Sequence, residues 1–76
     1  MRIFFDLVDS AYTVHDKDGV EVEDGEDGIE IRQAIAHEVA ELMREFSAED
    51  RRGWQLRVKD DAGRVLFTIP LDTGVL

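Results

Sequence analysis

The segment from Asp16 to Glu30 constrains the fold of this chain more than any other feature. It contains eight acidic residues, three Asp-Gly pairs and a single basic residue, Lys17. A strand-like pattern precedes this segment. A long helical pattern begins at its end, and further strand-like stretches follow the helix. The segment therefore separates two β-rich halves, and the order of the patterns predicts a small α+β domain with one helix in the middle.

The length and composition limit what the chain can be. Its 76 residues suffice for one domain, which we expect to span residues 1–76. There is no cysteine, so neither a disulfide nor a thiolate metal site reinforces the core. A net charge of −9 opposes direct binding to nucleic acid or to anionic membranes. No apolar run approaches the ~18 residues of a membrane span. The apolar stretch at the start of the sequence is also too short for a secretion signal, because Asp6 interrupts it. We therefore expect a cytoplasmic location.

Alternating apolar residues predict four strands. They lie near residues 3–8, 12–22, 54–59 and 65–70, and the second is interrupted by an irregularity at Asp16-Lys17-Asp18-Gly19. Its acidic residues suit an edge strand, because charge discourages pairing with another chain. Asp60-Asp61-Ala62-Gly63 is typical of a turn, with Gly63 at positive φ. Pro70 cannot donate to a sheet ladder, which places the last strand at the other edge.

Helical spacing predicts one amphipathic helix after the acidic segment. Asp27 and Glu30 have the spacing of a capping box, with Asp27 as N-cap, and the helix should end near Phe46 or Ser47. The predicted core joins its apolar face to the inner face of the sheet. The helix contributes Ile31, Ile35, Val39, Leu42 and Phe46, and the sheet contributes Ile3, Phe5, Trp54, Leu56 and Phe67.

These elements predict a ββαββ fold in which one helix packs on a four-stranded antiparallel sheet. The order 2-1-3-4 keeps every strand pair antiparallel and places Asp6 beside Arg57 on the outer face, where the two could pair. The order 2-1-4-3 requires a parallel central pair and is the alternative.

The residue types that commonly carry chemistry do not form a recognised site in this sequence. An EF-hand loop needs an Asp at its first position, a Gly at its turn and a Glu at its last. With Gly19 or Gly25 at the turn a valine stands first, and with Gly28 at the turn an alanine stands last. His15 and His37 are the only histidines, and no third group has the spacing of a metal site, although His37 can pair with Glu41. Phosphate-loop and nucleophile motifs are absent from the sequence. We therefore expect no enzyme activity, no cofactor and no metal.

The outer face of the sheet is the candidate interaction surface. One helix covers only one face, and apolar residues remain on the other, which is typical of contact sites. The surface comprises Phe4, Asp6, Val8, Arg57, Lys59, Leu66 and Thr68. Phe4 has no clear aromatic companion there, which disfavours sheet-type RNA binding. We expect a non-enzymatic interaction or accessory module that forms a homodimer. The alternative is a nucleic-acid-linked regulator, such as the acidic partner of a toxin–antitoxin pair.

Several short motifs also resemble those of a known family. They are Phe4-Phe5-Asp6 in the first strand, the Asp16-Lys17-Asp18-Gly19 turn, Gly53-Trp54, and the Asp60-Asp61-Ala62-Gly63-Arg64 turn before the final strand, Val65 to Pro70. Over nearly its full length the chain resembles a family of short, uncharacterised bacterial proteins known only as a domain of unknown function. The resemblance supports the predicted fold and implies no reaction and no catalytic residue.

Overall fold

One α-helix packs against a five-stranded antiparallel sheet in the computed structural model, which describes residues 1–23, 25 and 28–72. The elements, in chain order, are β1 (Arg2–Val8), β2 (Thr13–Val14), β3 (Val20–Glu21), α1 (Ile29–Glu45), β4 (Gln55–Asp60) and β5 (Val65–Pro70). The α+β class and the antiparallel sheet are thus confirmed.

The number of strands differs from the prediction. The sheet order is β2-β1-β4-β5, and β3 pairs with the same side of β1 as a separate short strand. The predicted four-stranded sheet is therefore wrong, because the predicted second strand is two strands of two residues each. β1 lies beside β4, and both pairings of β4 are antiparallel, so the alternative order with a parallel central pair is not formed.

The chain between β2 and β3, which we call the Asp16 loop (residues 15–19), explains why the strand is interrupted. The Asp16 carboxylate accepts a hydrogen bond of 3.1 Å from the backbone N–H of Phe5 in β1. It also accepts 3.1 Å bonds from the backbone N–H groups of Asp18 and Gly19. A side chain thus takes the place of a backbone ladder partner, which satisfies the β1 amide where neither short strand reaches it.

Gly19 is the point of closest approach between the Asp16 loop and β1. It has a φ of 70°, in the left-handed region that glycine adopts without strain. A Cβ at this position would lie 2.8 Å from the backbone oxygen of Ile3 and 2.8 Å from Cε1 of Phe4. Both the backbone conformation and the lack of space therefore require glycine.

The two ends of α1 differ in how well the sequence predicted them. The helix begins at Ile29 with Gly28 at the N-cap, whereas the predicted cap residue, Asp27, lies outside the described residues. The Glu30 carboxylate accepts a 3.0 Å bond from the backbone N–H of Glu23. At the other end Phe46 is the C-cap, and its N–H donates to the Leu42 oxygen, so the predicted helix end is confirmed.

The core lies between the middle of the sheet and α1. Its buried members are Ile3, Phe5, Val22, Leu42, Leu56, Val58 and Leu71. Two predicted core residues do not belong to it, because Phe46 is 41% exposed and Phe67 is 44% exposed. Phe46 lies beyond the last turn of the helix and Phe67 lies on the edge strand, so α1 covers neither of them.

The Asp16 loop predicts different costs for two glycine substitutions. Gly19 and Gly53 both have positive φ, but an added Cβ would meet nothing within 4 Å at Gly53. We expect Gly53→Ala to lose about 1–2 kcal/mol of unfolding free energy, from backbone strain alone. We expect Gly19→Ala to lose roughly 1–3 kcal/mol more, because a methyl group is forced against the β1 backbone. Urea unfolding measures both values, and equal losses would show that the loop does not press on β1.

Candidate functional site

An apolar groove with a volume of about 430 Å³ opens where α1 ends and the sheet begins to lose its cover. It is lined by Leu7, Val14, Leu42, Phe46, Asp50, Arg51, Trp54 and Leu71. Small-molecule sites are commonly concave, mostly apolar and of about 300–1,000 Å³, so the groove has the dimensions of a ligand site.

The groove forms because β1, β2, the end of α1 and the segments before β4 and after β5 meet without filling the space between them. Leu7 of β1 lies opposite Val14 of β2 in the sheet, so these side chains share the face that α1 covers further along. Leu42 lies in the last turns of the helix, and Phe46 follows in an extended conformation that ends the helical cover. Trp54, just before β4, supplies another wall.

Arg51 holds the groove together and is a site residue that the sequence did not reveal. It is only 9% exposed. Its Nε donates to the Phe46 oxygen at 3.2 Å, and its Nη1 donates to the Leu71 oxygen at 2.8 Å. The Leu71 N–H in turn donates to the Trp54 oxygen at 3.0 Å. One guanidinium therefore fastens the end of the helix to the segment that follows β5.

The connector that carries Arg51 is ordered by a turn that begins at Ser47. The Ser47 hydroxyl oxygen accepts from the Asp50 N–H, and the Ser47 carbonyl accepts from the Arg51 N–H, each at 3.1 Å. The turn directs Arg51 inward, although its neighbours Asp50 and Arg52 are exposed.

A second feature is a charged cluster on the outer face, centred on Asp6. This carboxylate is only 2% exposed. It lies 2.7 Å from the Lys59 Nζ and 3.1 Å from the His15 Nδ1, and it accepts a 3.1 Å bond from the Asp16 backbone N–H. Burial by itself would raise the pKa of Asp6, but the bonds from Lys59, Asp16 and His15 outweigh it and lower the pKa.

The predicted interaction surface contains less exposed area than the strand alternation indicated. Phe4, Val8, Arg57, Lys59 and Leu66 are half-buried, Asp6 is buried and Thr68 is exposed. The Asp16 loop accounts for part of this cover, because it lies against Phe4 and Asp6. Leu66 packs against the core cluster. No measurement of binding tests this surface, so it stays a prediction.

The predicted pairing of Asp6 with Arg57 is only half correct. The two residues lie directly opposite each other in the β1–β4 register, as predicted. Asp6 instead forms an ion pair with Lys59, and the described structure shows no ion pair between Asp6 and Arg57. Lys59 lies opposite Phe4, and its flexible side chain reaches Asp6 diagonally across the strand pair.

The remaining titratable groups of the described chain do not assemble into a metal centre. Within residues 1–23, 25 and 28–72, no group of three or more His, Asp or Glu side chains is placed to hold a metal ion. The predicted pair of His37 and Glu41 is present, with 3.6 Å between Nε2 and Oε1. Burial raises the pKa of Glu38, which lines a shallower depression, and the negative charges of Glu41 and Asp16 raise it further. In the part of the chain that is described, no helix is long and apolar enough to cross a membrane.

Comparison with known proteins gives one match. The model of the family described as Domain of unknown function (DUF6894) matches residues 2–72. The chain belongs to this family. No curated protein and no solved structure shows a significant match. The resemblance seen in the sequence motifs of this DUF6894 protein is therefore confirmed, and the family itself assigns no reaction.

The Asp6 cluster predicts a pH dependence of stability. Because the pKa of Asp6 is lower in the folded protein than its ordinary value of 3.8, the stabilisation that its charge provides is complete above that value. The contribution is lost as the pH falls through the lower pKa of the folded state. Glu38, with a raised pKa, acts in the opposite direction. We expect Lys59→Met to raise the pKa of Asp6 and to move acid unfolding to higher pH.

Arg57→Met is the matched control, since Arg57 is the other cation beside Asp6 and makes no ion pair with it. Carboxyl NMR titration reports the pKa of Asp6, and circular dichroism at a series of pH values reports unfolding. An equal rise of the Asp6 pKa in both variants would contradict the role given to Lys59.

Proposed function

We propose that this protein is a non-enzymatic interaction module that self-associates as a homodimer through the outer edge of β5. The observation that carries the proposal is the unprotected state of that edge. Among the described residues, no strand pairs with β5 on the side away from β4. Val65 and Phe67 are 49% and 44% exposed on this strand.

The sequence of β5 favours pairing rather than opposing it. Residues 65–71 contain no charged side chain, and Pro70 comes only at the end of the strand. Natural edge strands usually carry charges, bulges or prolines that block a second chain. The bulge in the β4–β5 pair lies near the start of β5, which leaves most of the strand regular.

The opposite edge of the sheet is more strongly protected than β5. β2 and β3 contain two residues each, and the Asp16 loop separates them. Glu21 and Glu23 add negative charge there. This contrast supports β5 as the edge through which two copies meet.

Two-fold symmetry is compatible with the charges that flank β5. In an antiparallel pair of β5 strands centred on Thr68, Arg64 of each copy lies opposite Asp72 of the other. The chain is small and has no disulfide, so additional burial would stabilise it. The net charge of −9 opposes association, but at physiological ionic strength the Debye length is only about 8 Å. Burial at short range is expected to prevail.

Sedimentation equilibrium at tens of micromolar protein tests the proposal. We expect the unmodified chain to sediment with twice its monomer mass at moderate salt. Phe67→Lys places a charge on the edge and should weaken the dimer by at least about tenfold in Kd. Because the Phe67 side chain is largely exposed in the single chain, the variant should keep the fold. Its circular dichroism spectrum verifies this.

Val20→Lys is the matched control, because Val20 is also an exposed apolar residue on an edge strand, but on the protected side. It should leave the dimer intact. A monomer mass for the unmodified chain at both low and moderate salt would overturn the proposal. A dimer that survives Phe67→Lys but not Val20→Lys would move the interface to the other edge.

A further inference from the structure

The groove at the end of α1 contains a buried cation that has no counter-charge among the described residues. Arg51 lines the groove, and its guanidinium makes no ion pair with any described residue. Its two hydrogen bonds go to the neutral carbonyl oxygens of Phe46 and Leu71. An anion that reaches this guanidinium gains a charge-assisted bond in a partly apolar environment.

One nitrogen of this guanidinium remains available. Nε and Nη1 each donate to a carbonyl, whereas Nη2 donates to no described group. Among the described residues that are not exposed, every fully buried side-chain nitrogen or oxygen has a hydrogen-bond partner. Nη2 has none, so it is not fully buried. A ligand can therefore contact Nη2 without disturbing the two bonds that fasten the helix end.

The other walls of the groove are suited to a hydrocarbon chain. Leu7, Leu42 and Leu71 supply aliphatic surface, and Phe46 and Trp54 supply the faces or edges of aromatic rings. Among the described lining residues Arg51 is the one cation, and Asp50 is the one acidic side chain. An apolar body whose single anionic end faces Arg51 would match the apolar walls and the cation of the site.

We propose that this groove binds an unbranched aliphatic carboxylate, that is, a medium-chain fatty acid. The carboxylate accepts a hydrogen bond from Nη2 of Arg51, and the acyl chain lies over Leu42 and Trp54. A flexible chain suits an open groove of about 430 Å³ whose walls come from three elements and the segments that connect others. β1, β2 and the end of α1 supply part of the lining, and Leu71 links the site to the end of β5.

Three probes with the same decyl chain separate the charge of the head group from the hydrophobic contribution. They are decanoate, decanol and decyltrimethylammonium, used at pH 7 and below the concentrations at which they form micelles. Trp54 is the only tryptophan of the chain and lines the groove, so its fluorescence reports occupancy directly. We expect a saturable change with decanoate, and affinities for decanol and decyltrimethylammonium at least about tenfold weaker.

The cationic probe makes the test demanding, because a net charge of −9 attracts it and repels decanoate. Only a local cation such as Arg51 can reverse that preference. Equal or tighter binding of decanol or decyltrimethylammonium would overturn the proposal. So would the lack of a saturable signal with decanoate.

Two exposed valines on the same sheet margin provide matched variants that leave Arg51 intact. Val14 lines the groove, whereas Val20 does not, and both lie on short strands paired with β1. Val14→Glu places a carboxylate in the groove and should abolish decanoate binding, while Val20→Glu should preserve it. The melting curves of both variants verify the fold. Loss of binding in both, or in neither, would contradict the assignment of the ligand to this groove.

Discussion

The structure depends on one constraint: a single 17-residue helix must cover the inner face of a five-stranded sheet. It covers the centre, where Ile3, Leu56 and Val58 are almost completely buried. It does not reach the margins, where Val14 and Phe67 remain exposed. Because the chain supplies no second helix or disulfide within the described residues, apolar surface is left at both sides, and both proposals arise from it.

The two edges of the sheet resolve this constraint differently. On one side the Asp16 loop divides the edge into two short strands, and a carboxylate replaces the missing backbone partner. The same loop buries Asp6, whose charge is balanced by Lys59. On the other side β5 is longer and uncharged, and no described strand pairs with its outer edge. Because the β2 and β3 edge is protected against pairing and the β5 edge is exposed, β5 is the edge through which we propose that two copies meet.

The sequence predicted the elements well, but it did not predict what covers them. Alternation and helical spacing located the first and last strands and the helix end, and Pro70 correctly placed β5 at an edge. Periodicity identifies the face on which a residue lies but not whether another element reaches it, which is why Phe46 and Phe67 were wrongly assigned to the core. Arg51 was missed because its partners are backbone oxygens of segments distant in sequence, which no local pattern reveals.

The proposed interface between two copies of the chain is the outer edge of β5. Amide hydrogen exchange at several protein concentrations tests it most directly, because pairing protects backbone N–H groups that a lone edge exposes to water. We expect amide exchange within residues 65–69 to slow as the protein concentration rises, whereas amide exchange in β3 should not change. Exchange rates in β5 that are the same at every concentration, from well below to well above tens of micromolar, would contradict it.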